Sequence, residues 1–382
     1  MANNGSKNII RRIFSSTVLL LNLVAIAWLC CCIAAAYTDP LKMKNIAIFS
    51  LSTPFAILTN LFFIVMWLFS THKLRALLSL MVLLGGYKVT STVFATNFFG
   101  KNSMERKGRT IKIVSWNSHG MGVFNKPINK AFDQKILDFL KEQDADILCL
   151  PEYSLTIDNI LKPYAEKIIK NNGYIDYRFQ ADNNLNDRVY LGTAVFSKYP
   201  FRNYETHQLS QYIYMMQGDV QLPYGKTMRL FFVHLTTFGL SDKEKDYIDE
   251  VTNNKDSAKG ITKRANSFIK KLNTAYEHRA EEVNKAINII RKSPYPVLLC
   301  GDFNDLPGSY TYTTMRGGLA DAFLDKGKGF GRSYNRLSPT IRIDHFFYND
   351  TTLRLIGFQC PPTELSDHNP IITNFEIVGT QP

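Results

Sequence analysis

The sequence has little of the glycine, proline or ordered cysteine spacing that marks fibrous, low-complexity or disulfide-stabilised proteins. Of its 382 residues 22 are Gly and 15 are Pro, while 45% are hydrophobic, which excludes a collagen-like or disordered chain. Its six cysteines comprise a consecutive triplet, Cys30–Cys32, and three isolated residues, Cys149, Cys300 and Cys360. This spacing matches neither a disulfide framework nor a zinc site, so we expect small buried thiols.

Acidic residues are nearly missing from the first hundred positions. This stretch holds eight Lys and Arg but a single acid, Asp39, and so carries +7 of the net charge of +12. The remaining residues hold 37 Lys and Arg against 32 acids. Because basic residues among apolar segments usually mark the ends of membrane helices, the excess charge is weak evidence for nucleic-acid binding.

Long uncharged segments lie in this acid-poor region. Ile13–Ala36 would form a helix of ~36 Å, enough to cross the ~30 Å core of a bilayer, and Asn45–Thr71 follows it directly. The first segment exceeds the apolar core of a typical signal peptide, and two adjacent segments argue against cleavage. A third segment, Ala76–Gly100, is interrupted by Lys88 and fits either a span or an interfacial helix. We predict about three transmembrane helices in residues 1–100, near 13–36, 46–70 and 75–96.

The number of spans decides on which side of the membrane the rest of the chain lies. Lys7, Arg11 and Arg12 precede the first apolar segment and favour a cytoplasmic N-terminus. Three spans then place the residues after 100 on the non-cytoplasmic side, whereas two spans would return them to the cytoplasm. We predict a multi-pass membrane protein with its large domain outside the cytoplasm.

The remaining chain reads as one mixed α/β domain behind a polar linker. Residues 101–110 form the juxtamembrane linker, and residues 111–382 alternate short apolar runs with helical periodicity. Helical patterns lie at 126–143, 157–170 and 275–290, and the clearest strands at 111–116, 147–150, 192–196, 212–222, 228–234, 297–300, 343–348, 353–358 and 371–377. Helices covering packed sheets account for this order.

Several predicted strands end in residues suited to metal or phosphate chemistry. Each alone also fits a turn, a helix cap, an ion pair or a buried histidine. Together they indicate a site at one sheet edge, because strand ends bring such groups onto a rigid frame. Oxygen ligands without cysteine favour Mg²⁺ or Mn²⁺ over zinc. These residues are Asn117, Glu152, His234, Asp302, Asn304, Asp344, Asp367 and His368.

These motifs resemble those of the endonuclease/exonuclease/phosphatase superfamily. The specific elements are Gly301-Asp302-Phe303-Asn304, Ile343-Asp344 and Ser366-Asp367-His368, and Gly192–Pro200 resembles the family's central strand and turn. The resemblance covers about residues 110–380. The histidine at position 234 resembles the deoxyribonuclease-I, sphingomyelinase, 5-phosphatase and deadenylase branches more than the AP endonucleases.

The resemblance implies a four-layer α/β/β/α sandwich with its site at one edge of two packed sheets. It implies metal binding by Asn117, Glu152, Asp302, Asn304 and Asp367. It implies phosphate binding by Asn117, His234, Asn304 and His368. The implied catalytic groups are His234, Asp302, Asn304, Asp344 and His368, with Asp344 holding the His368 ring.

We therefore expect a membrane-tethered, Mg²⁺- or Mn²⁺-dependent phosphodiesterase or phosphatase. A lipid headgroup or similar phosphoester is the first substrate class, because tethering keeps the site near lipid. A membrane-anchored nuclease and a non-catalytic scaffold stay as alternatives. Residues 240–292 are a candidate lid or substrate-selecting segment. His119, which has no clear family counterpart, fits a structural or solvated role better than a site role.

Overall fold

The computed structural model describes residues 2–106, 108–122, 130–156, 162–186, 189–222, 225–238, 258–336 and 338–378. This description leaves out the side chains of residues 2–10, 130, 156, 162–163, 183–186 and 258–265. The chain forms two compact units. One comprises Met1–Val93 with Pro307–Thr313, and the other Phe94–Leu306 with Thr314–Pro382.

The first unit is helical. Its helices are α1 (Ala2–Tyr37), a 3-10 helix (Ile46–Ser52), α2 (Thr53–Leu68), a 3-10 turn (Lys73–Arg75), α3 (Ala76–Gly85) and α4 (Tyr87–Thr90). A buried polar cluster joins three of them: the Asn22 side chain donates to Ser79 Oγ (2.7 Å) and accepts from Trp67 Nε1 (2.9 Å). Hydrogen bonds of this kind hold helices together where the surroundings are apolar.

Two helices in the described part of this unit are long and apolar enough to cross a membrane, Arg11–Tyr37 (27 residues) and Ile46–Leu68 (23 residues). The predicted third span near 75–96 is wrong as a single helix. Helix α3 has 10 residues and rises only about 15 Å, half of a bilayer core. The helix stops at the Gly85-Gly86 pair, where helix propensity is low. The predicted non-cytoplasmic placement, which required three spans, loses its basis.

The second unit is built mainly of strands. They are β1 (Ala95–Thr96), β2 (Thr110–Ser115), β3 (Ile147–Thr156), β4 (Asp176–Asn186), β5 (Val189–Ser197), β6 (Phe201–Gln208), β7 (Tyr214–Gln221), β8 (Thr227–His234), β9 (Val297–Asp302), β10 (Ala320–Asp321), β11 (Lys328–Gly329), β12 (Asp344–Tyr348), β13 (Leu353–Gln359) and β14 (Ile371–Ile377). The helices after residue 93 are α5 (Lys130–Gln143), α6 (Lys162–Asn172), α7 (Ala258–Ile290), α8 (Tyr310–Arg316) and α9 (Ala322–Lys326).

The long strands form two six-stranded sheets. One has the order β10-β12-β9-β8-β7-β6 and the other β13-β14-β2-β3-β5-β4. Alternation along β2 shows how both faces are buried. Ile113 packs with Phe232 of the opposite sheet, while the next residue, Val114, packs with Ile136 of α5 and Ile168 of α6. The predicted mixed α/β fold with two packed sheets is therefore confirmed.

Strand direction fixes where the polar strand ends meet. β2 and β3 are parallel, as are β8 and β9, in which His234 lies opposite Asp302. β12 begins with Asp344 opposite Asp302 in the antiparallel direction. The carboxyl ends of β2, β8 and β9, the first residue of β12 and Glu152 thus share one edge of the packed sheets. The predicted strand end before Glu152 is wrong, because β3 continues to Thr156 past an irregularity between Leu150 and Tyr153.

Gly301 lets β8 and β9 approach closely at this edge. Its φ of 140° is accessible to glycine, and a Cβ at this position would lie 1.9 Å from the Val233 carbonyl oxygen. Gly301→Ala should therefore destabilise the second unit by at least about 2 kcal/mol and lower its melting temperature. Gly318→Ala is the matched control, because nothing lies within 4 Å of its added Cβ. Equal melting temperatures of the two variants would contradict this account of the strand pair.

Candidate active site

Asn117 lies at the centre of the site and connects the two sheets. It follows β2 at the sheet edge and is 1% exposed. Its Nδ2 donates to Glu152 Oε1 and to Asp302 Oδ2, both at 3.0 Å. Its Oδ1 accepts from the His119 backbone N–H (3.0 Å). One amide thus holds a carboxylate from each sheet in place.

Two of the eight predicted site residues have strained backbones. Glu152 lies in β3 where the pairing with β5 shifts between Leu150 and Tyr153, and its φ is 52°. Asn304 also has a φ of 52°. Non-glycine residues seldom adopt this left-handed conformation, and such strain persists mainly where a functional arrangement requires it.

Asp344 and His368 form a buried pair. His368 Nδ1 lies 2.8 Å from Asp344 Oδ2, and both residues are at most 5% exposed. The other ring nitrogen, Nε2, lies 3.8 Å from Asp302 Oδ2. The Tyr334 ring packs edge-on against the imidazole at 4.9 Å, and the Asp344 N–H donates to Ser333 Oγ (3.1 Å). The His368 ring is therefore held from three sides.

His234 contacts an acid on each side. Its Nε2 lies 3.6 Å from Glu152 Oε1, and its Nδ1 lies 3.8 Å from Asp182 Oδ2. Asp182 comes from β4, and sequence reasoning missed it, because nothing in the polar sequence of that strand distinguishes it from a solvated acid. The site thus contains two imidazole–carboxylate pairs.

Asn304 is fixed by the loop that follows β8. Its side-chain Nδ2 donates to the Leu235 carbonyl (2.9 Å), and its backbone N–H donates to Asp302 Oδ1 (2.8 Å). The Leu235 N–H in turn donates to the Asp302 carbonyl (2.9 Å). Leu235, Asp302 and Asn304 therefore hold one another in place.

Asp367 and His119 border a cleft next to these groups. His119 Nδ1 lies 3.5 Å from Asp367 Oδ1 and 3.6 Å from Glu152 Oε2. The cleft has a volume of about 360 Å³, and Arg336 and Glu364 also line it. The structure thus brings His119 into contact with two predicted site residues. In the sequence, only the position of His119 two residues after Asn117 indicated that it could lie in the site.

The two central carboxylates have opposite pKa shifts. Burial alone would raise the pKa of Glu152, but its interaction with His119 and the charge of His234 lower it to about 2. Burial and the neighbouring Asp344 carboxylate raise the pKa of Asp302 to about 6. The crowding of acids at this edge therefore disfavours ionisation mainly at Asp302.

The imidazoles of His234 and His368 are shifted towards the charged form. Burial disfavours a charged His234, but Asp182 and Glu152 raise its pKa to about 9. Burial likewise opposes the charge of His368, yet Asp344 is the main group that raises its pKa to about 10. Both rings can therefore donate hydrogen bonds to an anionic group at neutral pH.

Acidic groups at this edge are able to hold a cation. Among the described residues, ligand atoms lie within 4.8 Å of one another in two sets, Glu152, His234 and Asp302, and Asp302, Asp344 and His368. Glu152 and Asp302 are predicted metal ligands, and the raised pKa of Asp302 is the response expected of crowded acids without a cation. Carboxylate and amide oxygens suit Mg²⁺.

The structure brings all eight predicted site residues to this one edge. Asn117 and Asn304 contact the metal-capable carboxylates through hydrogen bonds, as described above. Asp367 lies outside both metal-capable sets and contacts His119 instead. The individual metal, phosphate and catalytic roles stay predictions.

Family comparison agrees with this geometry. The model of the Endonuclease/Exonuclease/phosphatase family matches residues 114–368, more than half of the chain. The chain belongs to the endonuclease/exonuclease/phosphatase family. A second model, a Domain of unknown function (DUF8431), matches residues 11–93, which lie in the helical unit.

Individual relatives are distant. The UPF0294 protein VP2298 of Vibrio parahaemolyticus is 25% identical over 101 residues, 26% of this chain and 35% of that protein. The chain thus spans about a third of the length of this curated relative. An endonuclease/exonuclease/phosphatase structure from Beutenbergia cavernae has a TM-score of 0.52 and 16% identity, covering 71% of this chain and 72% of that one. The human Nocturnin catalytic domain with bound sulfate has a TM-score of 0.49 and 14% identity, covering 72% and 97%.

In this endonuclease/exonuclease/phosphatase family member, helix α7 holds the loop after His234. Glu282 is fully buried and accepts from the Thr236 backbone N–H (3.0 Å) and from Ser210 Oγ (2.8 Å). Arg279 donates to the Thr236 carbonyl (2.9 Å). The predicted lid at 240–292 falls partly outside the described residues, and its described part, α7, provides this buried clamp.

Glu282→Gln should therefore impair turnover without unfolding the domain. The amide would turn an N–H group towards donors that now meet a carboxylate, which shifts the loop bonded to Asn304. We expect kcat for a phosphoester to fall roughly tenfold to hundredfold with KM nearly unchanged. Glu281→Gln, at the exposed neighbouring position, is the control. An unchanged kcat in folded Glu282→Gln would rule out the positioning role.

Proposed function

We propose that the chain is a divalent-metal-dependent phosphoester hydrolase. One observation carries this proposal: two carboxylates, Glu152 and Asp302, are joined by Asn117 within reach of two imidazoles, each paired with its own acid. Carboxylates suit a hard cation, and protonated imidazoles suit phosphoryl oxygens and leaving groups. Membership of a family of phosphoester hydrolases supports the same chemistry.

Glu152 and Asp302 would hold the cation with Asn117. When bound, Mg²⁺ or Mn²⁺ would neutralise charge that develops on the phosphoryl and leaving oxygens. We assign Asn304 to hydrogen bonding with the phosphate, because the Leu235 carbonyl fixes its amide. The contacts of Asn304 with Leu235 and Asp302 thereby hold this amide in place.

His368 would donate a hydrogen bond or a proton from Nε2 to the phosphate. Asp344 binds Nδ1, which fixes the ring orientation and stabilises the charged ring. His234, held between Asp182 and Glu152, would supply the second cationic donor. The neighbouring carboxylates raise the pKa of both rings, which favours the charged form in which each ring donates.

We propose that the two apolar helices anchor the chain in a membrane, so that the substrate is a lipid headgroup or a similar phosphoester. An anchor confines the site near the lipid surface and raises the encounter frequency. Two crossings, together with Lys7, Arg11 and Arg12, favour a cytoplasmic catalytic domain.

We also propose the four-layer α/β/β/α arrangement for the strand-rich domain. Helices α5 and α6 pack on one sheet, and α7 bonds the segment that follows β8 in the other, which supports this arrangement.

Hydrolysis by the full chain in detergent tests the site. Asp302→Asn, Asn304→Ala and His368→Ala should each lower Mg²⁺-dependent turnover by roughly 10²–10⁴-fold while the melting temperature changes little. Chelation should abolish the activity of the unsubstituted chain, and added Mg²⁺ or Mn²⁺ should restore it. His278→Ala, exposed on α7, is the matched control and should stay active.

The substrate panel contains sphingomyelin-type lipids, inositol phosphates, DNA and RNA. Lipid cleavage that His368→Ala abolishes, with nucleic acids intact, supports the proposed substrate class. Nucleic-acid cleavage alone would support the nuclease alternative, which the +5 excess of charge on residues 101–382 permits. If the chain binds no Mg²⁺ and hydrolyses none of these substrates, the result would favour the alternative of a non-catalytic scaffold.

Membrane attachment has its own test. The full chain should remain in the membrane fraction after alkaline carbonate extraction, because burial of two apolar helices is effectively irreversible. Its N-terminus and its C-terminal domain should be open to protease from the same side of sealed vesicles. Release by carbonate would contradict the anchor, and protection of one end alone would contradict the even number of crossings.

A further inference from the structure

A second cavity, of about 470 Å³, lies in the strand-rich unit, and no metal-capable acid is part of its described lining. Its described lining contains three cationic side chains and no Asp or Glu. The lining residues are Asn102, Phe323, Lys326, Gly327, Lys328, Gly331, Arg332, Asn335, Phe358, Gln359, Cys360, Pro362 and Asn369. We call this cavity the basic pocket. Of its lining, Asn335 alone also lines the cleft beside Asp367.

The positive charge of the basic pocket is not offset by the contacts its cations make. Lys326 Nζ donates to the Lys101 carbonyl (2.9 Å), and Arg332 Nε donates to the Tyr334 carbonyl (3.0 Å). These partners are neutral carbonyls. Asp325, the acid next to Lys326 in the sequence, accepts from the Tyr348 hydroxyl (2.7 Å) and is not part of the lining. The pocket therefore presents net positive charge to a ligand.

Exposed aromatic side chains lie beside the basic pocket. β1 pairs with β11, so that Thr96 lies opposite Lys328. Asn97 Nδ2 then donates to the Leu324 carbonyl (2.7 Å) and the Gly327 carbonyl (3.1 Å), which fastens this segment to the pocket wall. The next two residues, Phe98 and Phe99, are 50% and 102% exposed. Two neighbouring phenylalanines in water are unfavourable unless another phase or partner covers them.

We propose that this surface binds the phosphate-bearing headgroup of an anionic membrane lipid. Lys326, Lys328 and Arg332 bind the headgroup, and Phe98 and Phe99 enter the interfacial region of the bilayer. The combination of basic residues with exposed aromatic rings is the chemistry by which proteins adhere to anionic membrane surfaces. The surface begins directly after the helical unit in the sequence, where a membrane anchor would deliver it to lipid. The inference rests on the proposed membrane attachment, not on the proposed hydrolysis.

Native mass spectrometry of the detergent-solubilised full chain tests this binding. The probes are phosphatidylglycerol and phosphatidylcholine, titrated separately. We expect the double variant Lys326→Ser/Lys328→Ser to bind phosphatidylglycerol roughly tenfold more weakly, with retention of phosphatidylcholine unchanged. Lys141→Ser/Lys170→Ser removes two exposed lysines elsewhere in the same unit and should bind as the unsubstituted chain does.

Hydrogen exchange gives a second measurement that needs no substitution. Residues 94–102 and 323–335 should be protected in nanodiscs that contain phosphatidylglycerol and not in nanodiscs of phosphatidylcholine. Equal protection in the two, or equal lipid affinity of the two double variants, would overturn the proposal. Displacement of the lipid by millimolar inorganic phosphate would show that the pocket selects a free anion instead.

Hydrolysis and lipid binding can fail separately. Lys326→Ser/Lys328→Ser should hydrolyse a soluble phosphoester at the rate of the unsubstituted chain, because neither lysine belongs to the catalytic machinery. Lipid binding by a chain that hydrolyses nothing would refute the proposed function and keep this inference. Hydrolysis without any preference for anionic lipid would support the proposed function and refute this inference.

Discussion

The hydrogen bonds of one buried amide hold the candidate active site of this protein together. Asn117 follows a strand of one sheet and donates to Glu152 of that sheet and to Asp302 of the other. Two carboxylates would otherwise repel across the gap between the sheets. The amide fixes their separation, the strained backbone of Glu152 turns its side chain towards the gap, and Gly301 allows β8 to approach Asp302 closely. The positions of the site carboxylates and the backbone geometry at this edge thus depend on the same few contacts.

The electrostatics of the site follow from this crowding. Buried charges are costly unless they are paired, and here each imidazole faces at least one carboxylate. The pairing raises the pKa of His234 and of His368, while Asp302, opposite Asp344, becomes harder to ionise. Even when the imidazoles of His234 and His368 are both charged, the site contains more carboxylates than charged imidazoles. A divalent cation is the natural complement to this excess, in keeping with the proposed metal site.

The sequence was informative where a strand pattern stops. Strands buried on both faces read as continuous apolar runs, so the polar residue that ends each run is conspicuous, as with His234 and Asp302. Asp182 was missed because it lies within a polar strand, and Glu282 because a buried clamp and a solvated helix face give the same mixed-charge pattern. The third predicted span failed for a related reason. Apolar composition continues beyond Gly86, but composition does not report that the helix stops there.

The two charged regions of the strand-rich unit have opposite signs. The metal-capable edge is rich in carboxylates, so a phosphate group meets repulsion there until a cation is present. The basic pocket presents three cations and neutral partners, so it attracts phosphate without any metal. An anionic surface would therefore attract the domain through the basic pocket rather than through the acidic edge. The proposed attachment and the proposed catalysis would therefore respond to different conditions: lipid attachment would weaken with salt, and hydrolysis would depend on the cation.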